Sequence, residues 1–510
     1  MKPLLAAIDA GTGGVRCVIH DAEGSAIGRD YRELLTVYTP DGRAEQDPVR
    51  LIRGAWDAVR GAIVRGGIDA SQIVGVSVTG TQTTFVPVDR SGSFLTNLIL
   101  WQDSRGLERF AWIRERLSAS GMSEEELYRR TLKPMDALLA GAKLLWLRAH
   151  EPAIYDRIHK LANPQAVLLR ALGADEITID PTDGGWMLAH DGTTLEPDGQ
   201  LIELFGLNPG HFPTPRAVGA PVGRVTPGAA ERTGLRAGTP LFQGAVDQCC
   251  AALGAGNWGT PDIATLCLGT AGVVMACGDR PVPDPLGRCY VIHYPTGGYA
   301  SEYAVPVAAS AFRWVRDVLY SPESRRGSDI YSRMDAEASA IPVGSNGIAF
   351  LPFMAGSVYP KADGNIRGGW VGASLGTNRA ALVRAALEGI CSEMRQVLEA
   401  SGNRFEAIRL LGGAARSELW NQMQADAYGC PVETVEAEEA SALGAAMIAA
   451  AGAGLYPTLK DAARSMTRVK RRYEPDPGRA ARYRACYDAW RACVDALGEG
   501  AFDALAAVRK

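Results

Sequence analysis

The sequence Gly-Thr-x-Gly-Val occurs twice, at residues 11–15 and 269–273, and each copy lies between two apolar runs of strand character. The first follows residues 4–8 and leads into 15–20; the second follows 263–268 and leads into 273–276. A strand, a Gly/Thr turn and a return strand form a loop whose backbone N–H groups can face an anion. One such turn only reverses a chain. Two of them, half a chain apart, predict two related domains that each offer one loop, the pair facing across a cleft to hold the two ends of a polyphosphate.

A chain of 510 residues is too long for one core, which agrees with two or three domains. Its 47% hydrophobic and 22% charged content is that of a globular protein. A net charge of -4 argues against a nucleic-acid surface, which shows as a basic excess. No run is long and apolar enough to suggest a membrane span, and Met1-Lys2-Pro3 passes straight into a strand, so a cytoplasmic protein without a leader is expected. Ten scattered cysteines lack paired zinc spacing; Cys249-Cys250 reads as core filling, and six dispersed histidines form no metal constellation.

Asp247 stands directly before the apolar run 249–253, so it is expected at the mouth of a short buried helix, in the N-cap position. Pro48 opens a predicted helix over 49–65. The strand 73–78 ends in Thr79-Gly80-Thr81-Gln82-Thr83-Thr84, and the strand 98–100 delivers Trp101-Gln102-Asp103-Ser104-Arg105. Polar clusters at strand ends are where α/β sheets bind ligands. Asp180-Pro181-Thr182-Asp183 reads as a polar turn. A Gly/Pro-rich stretch over 195–240 sets the expected boundary, giving domains over 1–240 and 241–455, with a helical extension over 456–510 packed on the second. A long helix is predicted from 379 to about 400, and the strand 407–411 opens into Gly412-Gly413-Ala414-Ala415-Arg416-Ser417. A glycine pair at a strand-to-helix turn lets a flat ligand lie against bare backbone.

With these residues in view the chain resembles the FGGY carbohydrate kinases, in the superfamily of actin, hexokinase and the heat-shock ATPases. The likeness rests on D-x-G-T at 9–12, E-Q-D-P at 45–48, V-T-G at 78–80, L-W-x-D-x-R at 100–105 and G-x-x-D at 244–247. L-G-T-x-G at 268–272, G-G-A at 412–414, and the segments 420–426 and 441–446 complete it. Length and the Lys143-Leu144-Leu145-Trp146-Leu147 segment look most like the xylulose kinases of that family. Two departures stand out: Gly13-Gly14 where the family usually has a hydroxyl residue, and Thr81-Gln82-Thr83 where xylulose kinases commonly have Gln-Met-His.

The resemblance implies an α/β fold of two actin/hexokinase-like (ribonuclease H-like) domains flanking a deep cleft. It implies transfer of the γ-phosphoryl of ATP to a hydroxyl of a ketose, with D-xylulose giving D-xylulose 5-phosphate as the leading expectation. Another polyol, pentulose or sugar acid (glycerol, L-ribulose, erythritol, gluconate) is the alternative; an ATP-driven binding or sensor protein is an alternative of a different class. Asp247 is expected as general base. Asp9 is expected at Mg²⁺, held through water. Thr12, Gly13, Gly14, Gly269 and Thr270 are expected on phosphate oxygens, and Gly412, Gly413, Ala414 and Ser417 under the nucleoside. Gln82, Thr83, Trp101, Asp103, Asp247 and Gln248 are the sugar-side candidates, while Arg105 is read as a buttress. The expected partners are ATP and a small sugar, with a homodimer as the family's common arrangement.

Overall fold

The computed structural model describes residues 2–322, 329–498 and 500–508, so Met1 and parts of the expected tail lie outside the described residues. The chain forms two compact units. The first comprises residues 1–259, 277–301 and 437–468, and the second 260–276, 302–436 and 469–510.

The first unit is built on a six-stranded sheet. Its strands are β1 (Leu4–Gly11), β2 (Gly14–Asp21), β3 (Ala26–Glu33), β4 (Ile73–Gly80), β5 (Pro221–Arg224) and β6 (Pro240–Phe242), in the spatial order β5-β6-β4-β1-β2-β3. β1 is buried along nearly its whole length, as a central strand covered on both faces must be. It pairs antiparallel with β2 and parallel with β4, and β4 pairs parallel with β6. Helix α1 (Pro48–Arg65) starts where the sequence says it should. Asp47 caps it by accepting from Val49 and Arg50 N–H, and Pro48 occupies the first turn. Ala55, Val59 and Ala62 of α1 join Ile8, Val15, Ile19, Val76 and Val78 in one core. Each fully buried Val or Ile there contributes roughly 1.5–3 kcal/mol.

In chain order, α2 (Ala140–His150) and α3 (Pro164–Leu172) follow, and α4 (Asp247–Gly254) leaves the end of β6. The second unit repeats the sheet. Its strands are β7 (Ile263–Leu268), β8 (Gly272–Gly278), β9 (Tyr299–Val305), β10 (Ala407–Leu411), β11 (Val432–Val435) and β12 (Val469–Tyr473), in the order β12-β11-β10-β7-β8-β9, with Cys289–His293 as a seventh strand outside β9. β7 pairs antiparallel with β8 and parallel with β10, β10 is parallel to β11, and β12 closes the edge antiparallel. From β12 to β8 the order and the parallel or antiparallel sense match those of the first sheet from β5 to β2. Helix α5 (Arg379–Ala400) turns Val383, Leu387, Ile390, Met394 and Val397 into the core, the three-and-four spacing of a packed helix.

Three expectations are corrected. The stretch 241–259 belongs with the first unit, because β6 pairs with β4 and α4 leaves its end. The Ala/Gly-rich helix Ala440–Gly452 also belongs there: its small side chains let it lie close against α4, β1 and β4. The tail is not purely helical, since β12 completes the second sheet with Lys470, Arg471 and Arg472 exposed along the edge. Charge on an edge strand discourages further pairing. Only from 469 onward does the tail pack on the second unit. There α7 (Pro477–Gly498) is fixed by Arg384 donating to the Tyr483 hydroxyl at 2.6 Å and by the Trp490 indole on the Phe350 carbonyl at 2.8 Å.

Candidate functional site

In the first unit the parallel strands bring three sequence motifs to one sheet end. Asp9 lies opposite Thr79 in the β1–β4 register, and Val246, beyond β6, bridges to Gly80. Gly244 makes this approach possible: a Cβ there would stand 1.8 Å from the Val78 carbonyl oxygen. The Thr79 hydroxyl donates to the Ala245 carbonyl at 2.8 Å and holds the two strand ends together.

Asp247 is the first helical residue of α4, and Val246 is the N-cap, one position earlier than the sequence suggested. The Asp247 carboxylate accepts the Gln248 N–H at 2.8 Å, and both residues are half-buried. A carboxylate in the first turn is favoured by the helix dipole. Asp9, Asp180 and Asp247 all act on the buried Cys250 thiol, which burial first and these charges next push well above its ordinary range. Asp9 and Asp247 stand at one end of the sheet, and Thr182 ties the turn that carries Asp180 to Val246 beside them.

Burial drives Asp9 upward in pKa, opposed by Arg16. The Arg16 guanidinium stands 3.6 Å from the Asp9 carboxylate and also pairs with Glu439, so its charge is divided. The Thr12-Gly13 turn is anchored from outside. The Gln46 amide and the Trp101 indole donate to the Thr12 carbonyl and hydroxyl at 2.6 and 2.9 Å, and the Tyr31 hydroxyl donates to the Gly13 carbonyl at 2.7 Å. Gly13 is exposed and Gly14 buried.

On the sugar-side loops, Gln82 and Thr83 are buried, and Thr83 adopts a left-handed backbone with φ +55°. Trp101 is half-buried; its N–H donates to the Thr84 hydroxyl at 3.1 Å. Asp103 departs from the expectation of a ligand-facing group. It is 0% exposed, and its carboxylate accepts from Ala44 N–H at 2.8 Å, Arg105 N–H at 3.0 Å and the Arg105 guanidinium at 2.8 Å. Arg105 also pairs with Glu45. Asp103 shapes the loop, and Arg105 is the buttress it was read to be.

Two elements named in the sequence analysis without a role at this site take part in building it. Lys143 of α2 is fully buried and donates to the carbonyls of Leu100 and Trp101 at 2.8 and 3.0 Å, fixing the same loop from beneath. Burial pushes its ammonium down to about 7, against the pull of Asp103 and Asp136. The turn Asp180–Asp183 is buried rather than solvated, and burial together with Asp183 pushes Asp180 up to about 7. The visible signal was a pair of acids around Pro-Thr directly before Gly-Gly-Trp, which a surface turn has no need to follow with an aromatic residue.

In the second unit, β7 and β10 run side by side and end together, Cys267 opposite Leu411. Their loops, Gly269-Thr270-Ala271 and Gly412–Arg416, therefore emerge next to one another. Gly269 N–H closes the first loop on the Ala271 carbonyl at 3.0 Å, and Ala308 N–H and the Ser310 hydroxyl hold the Thr270 carbonyl at 3.0 and 2.6 Å. Thr270, Gly412 and Gly413 are exposed, while Ala414 is buried. Gly412 has φ +85°, and a Cβ there would meet the Leu268 carbonyl at 2.6 Å. The Ser417 side chain is committed elsewhere: it caps α6 (Glu418–Tyr428), accepting the Trp420 N–H at 3.0 Å, so it is a structural cap rather than an open contact.

The fold and these loops define a two-domain α/β sugar kinase. The N-terminal domain model of the FGGY family of carbohydrate kinases matches residues 4–254, and the C-terminal domain model matches residues 264–453. The chain belongs to the FGGY family of carbohydrate kinases. It is 26% identical to a xylulose kinase of Bacillus subtilis, over 95% of both chains. It is 30% identical to an autoinducer-2 kinase of Yersinia enterocolitica, over 96% of this chain and 93% of the relative. A solved xylulose kinase from Lactobacillus acidophilus, 22% identical, superposes with a TM-score of 0.87 over 97% of this chain and 98% of the other, which shows the fold. Among the described residues no helix is long and apolar enough to cross a membrane, and no three His, Cys, Asp or Glu side chains converge as a metal site.

Two predictions follow from this geometry. Gly244→Ala drives a methyl group into the Val78 carbonyl and is expected to cost roughly 1–3 kcal/mol of stability in a urea melt; wild-type stability would mean the strand ends separate freely. The Lys143 amine, at about 7 when folded, returns to about 10.4 when unfolded. Between those values the unfolded chain binds the extra proton, so this residue's contribution rises with pH by up to roughly 1.4 kcal/mol per unit and is lost as pH falls towards 7. Unfolding curves at pH 7.5 and 9.0 are expected to show wild type gaining on Lys143→Met; parallel behaviour would contradict the depressed amine.

Proposed function

We propose that this protein is an ATP-dependent kinase of a small polyhydroxylated ketone, with D-xylulose, giving D-xylulose 5-phosphate, as its acceptor. The observation that carries the reading is Asp247: a half-buried carboxylate in the first turn of a buried helix, at the sheet end it shares with Asp9. In the proposed step the acceptor hydroxyl oxygen attacks the γ-phosphorus, the bond to ADP breaks, and the hydroxyl proton passes to the Asp247 carboxylate. Gln248, Gln82, Thr83 and Trp101 are proposed to orient the acceptor.

The exposed loops of the second unit, Gly269-Thr270 and Gly412-Gly413 with Ala414 beneath, are proposed for the phosphates and nucleoside of ATP. Thr12, Gly13 and Gly14 are proposed for phosphate oxygens from the first unit. The donor set suits Mg²⁺, which prefers hard oxygen ligands and keeps much of its water. Asp9 offers such an oxygen, and the Arg16 guanidinium beside it is shared with Glu439. Mg²⁺ bound with ATP supplies neutralisation of phosphoryl charge, and Asp9 would hold it through water.

Charge favours a neutral acceptor over a sugar acid. Arg16 serves Asp9 and Glu439, Arg105 serves Asp103 and Glu45, and Lys143 serves two carbonyls. A substrate carboxylate would have to compete for each. A second reading, another small ketone or polyol, is supported by the autoinducer-2 kinase relative at 30% identity and by the Thr81-Gln82-Thr83 departure. The cytoplasm, where ATP is available, is the proposed place of action, and a homodimer the proposed assembly.

The test is ATP consumption with D-xylulose, L-ribulose, L-xylulose, glycerol, erythritol, ribitol and gluconate, against a control without acceptor. Strong stimulation by D-xylulose is expected. Stimulation by another compound would move the substrate and keep the chemistry; acceptor-independent turnover, or none, would favour a binding or sensor protein. Asp247→Asn is expected to abolish transfer while nucleotide binding, followed by calorimetry, persists.

A further inference from the structure

The buried turn Asp180–Asp183 grips two different parts of the first unit at once. On one side the Thr182 hydroxyl accepts the Val246 N–H at 3.0 Å, and Val246 is the N-cap immediately before Asp247. The Thr182 hydroxyl proton is itself directed to the Asp180 carboxylate, which also accepts the Thr182 N–H at 2.9 Å. That fixes the hydroxyl rotor, so its lone pair stays on Val246. On the other side the Asp183 carboxylate accepts the Thr83 N–H at 3.0 Å and the Asn163 amide at 2.9 Å. Thr83 is β-branched and sits at φ +55°, an unfavourable combination that needs an outside partner to persist.

The arrangement is costly for a simple chain reversal. Asp180 and Thr182 are 1% exposed, and burial drives both aspartates upward in pKa. The charge on Asp183 acts on Asp180, and that on Lys133 acts on Asp183. A turn that only joined two elements could lie at the surface with its acids in water. Here the same four residues tie the loop before Asp247 to the loop carrying Gln82 and Thr83.

We infer that Thr182 and Asp183 are positioning residues that set the spacing between the Asp247 carboxylate and the acceptor-binding loop. The inference rests on the proposed role of Asp247, and it divides the labour: Thr182 acts on the base, Asp183 on the acceptor.

Kinetics of the full-length chain test it. Thr182→Val keeps the shape and removes the acceptor of the Val246 N–H; it is expected to lower kcat about tenfold or more, with both KM values little changed. Thr182→Ser, which keeps the hydroxyl, is expected to restore most of that loss. Asp183→Asn is expected to raise the acceptor KM about tenfold with kcat nearly intact. Variants that only lower the melting temperature, with wild-type kcat and KM per folded molecule, would overturn the inference, as would Thr182→Val and Thr182→Ser behaving alike. Should Thr182→Val fail to fold, Asp183→Asn decides: a raised acceptor KM supports the inference and an unchanged one overturns it. Asp247→Asn separates the two readings. If it turns over normally, the proposed base is wrong; if it is inactive while Thr182→Val and Asp183→Asn both match wild type, only the positioning role is.

Discussion

Parallel pairing of β1 with β4, and of β4 with β6, makes three strands end on the same side of one sheet. Chain reversals that are distant in sequence become neighbours as a result. Asp9, the Thr79–Thr84 stretch and Asp247 are separated by up to 238 residues of chain, yet backbone hydrogen bonding alone fixes which strand ends meet. The same rule operates in the second unit, where β7 and β10 deliver two glycine turns side by side. Ligand binding at the carboxyl ends of strands is the usual outcome of this geometry, since those ends carry the loops that the core does not need.

Gathering carboxyl groups this way costs desolvation, and the first unit answers that cost with specific partners. Asp103 is fully buried and fully bonded through Ala44 and Arg105. Asp183 has Thr83 and Asn163. Asp9 has a guanidinium at 3.6 Å that it shares with Glu439. A satisfied carboxylate stiffens the loop it bonds, whereas a partly satisfied one still gains from meeting a cation. The difference sorts the acids into those that build the site and those left to serve it, a division that residue type alone does not reveal.

The sequence could therefore be read well for elements and less well for orientation. The hairpin echo, α1 with its Asp47 cap, and the strand-to-glycine turns are local patterns, and each appears where periodicity and capping put it. Asp103 was visible as an acid two residues before an arginine, but that these two bond each other, rather than a ligand, is decided by burial against Ala44. Ser417 was visible after a glycine turn, yet its hydroxyl is taken by the helix it opens. The strand Val469–Tyr473 read as part of a helical extension because an edge strand exposes its charges and lacks an apolar alternation. The helix Ala440–Gly452 lies in sequence between two strands of the second sheet, β11 and β12, yet packs on the first, a choice made by complementary small surfaces that no window of sequence displays.

The two Gly-Thr hairpins show how a duplicated frame takes on different electrostatics. Aligned on their glycines, Asp9 of β1 corresponds to Cys267 of β7, and the register that sets Asp9 opposite Thr79 sets Cys267 opposite Leu411. The first loop thus begins beside a buried carboxylate and the second beside a thiol and an aliphatic side chain. The first loop presents a carboxyl group with a guanidinium beside it, whereas the second presents a turn with no acid at the matching position. Anchoring has diverged in the same sense. Side chains from Gln46, Trp101 and Tyr31 brace the first turn, while Ala308 and Ser310 brace the second through the Thr270 carbonyl. One backbone pattern can therefore present two different charges, and the residue two places before the first glycine decides which.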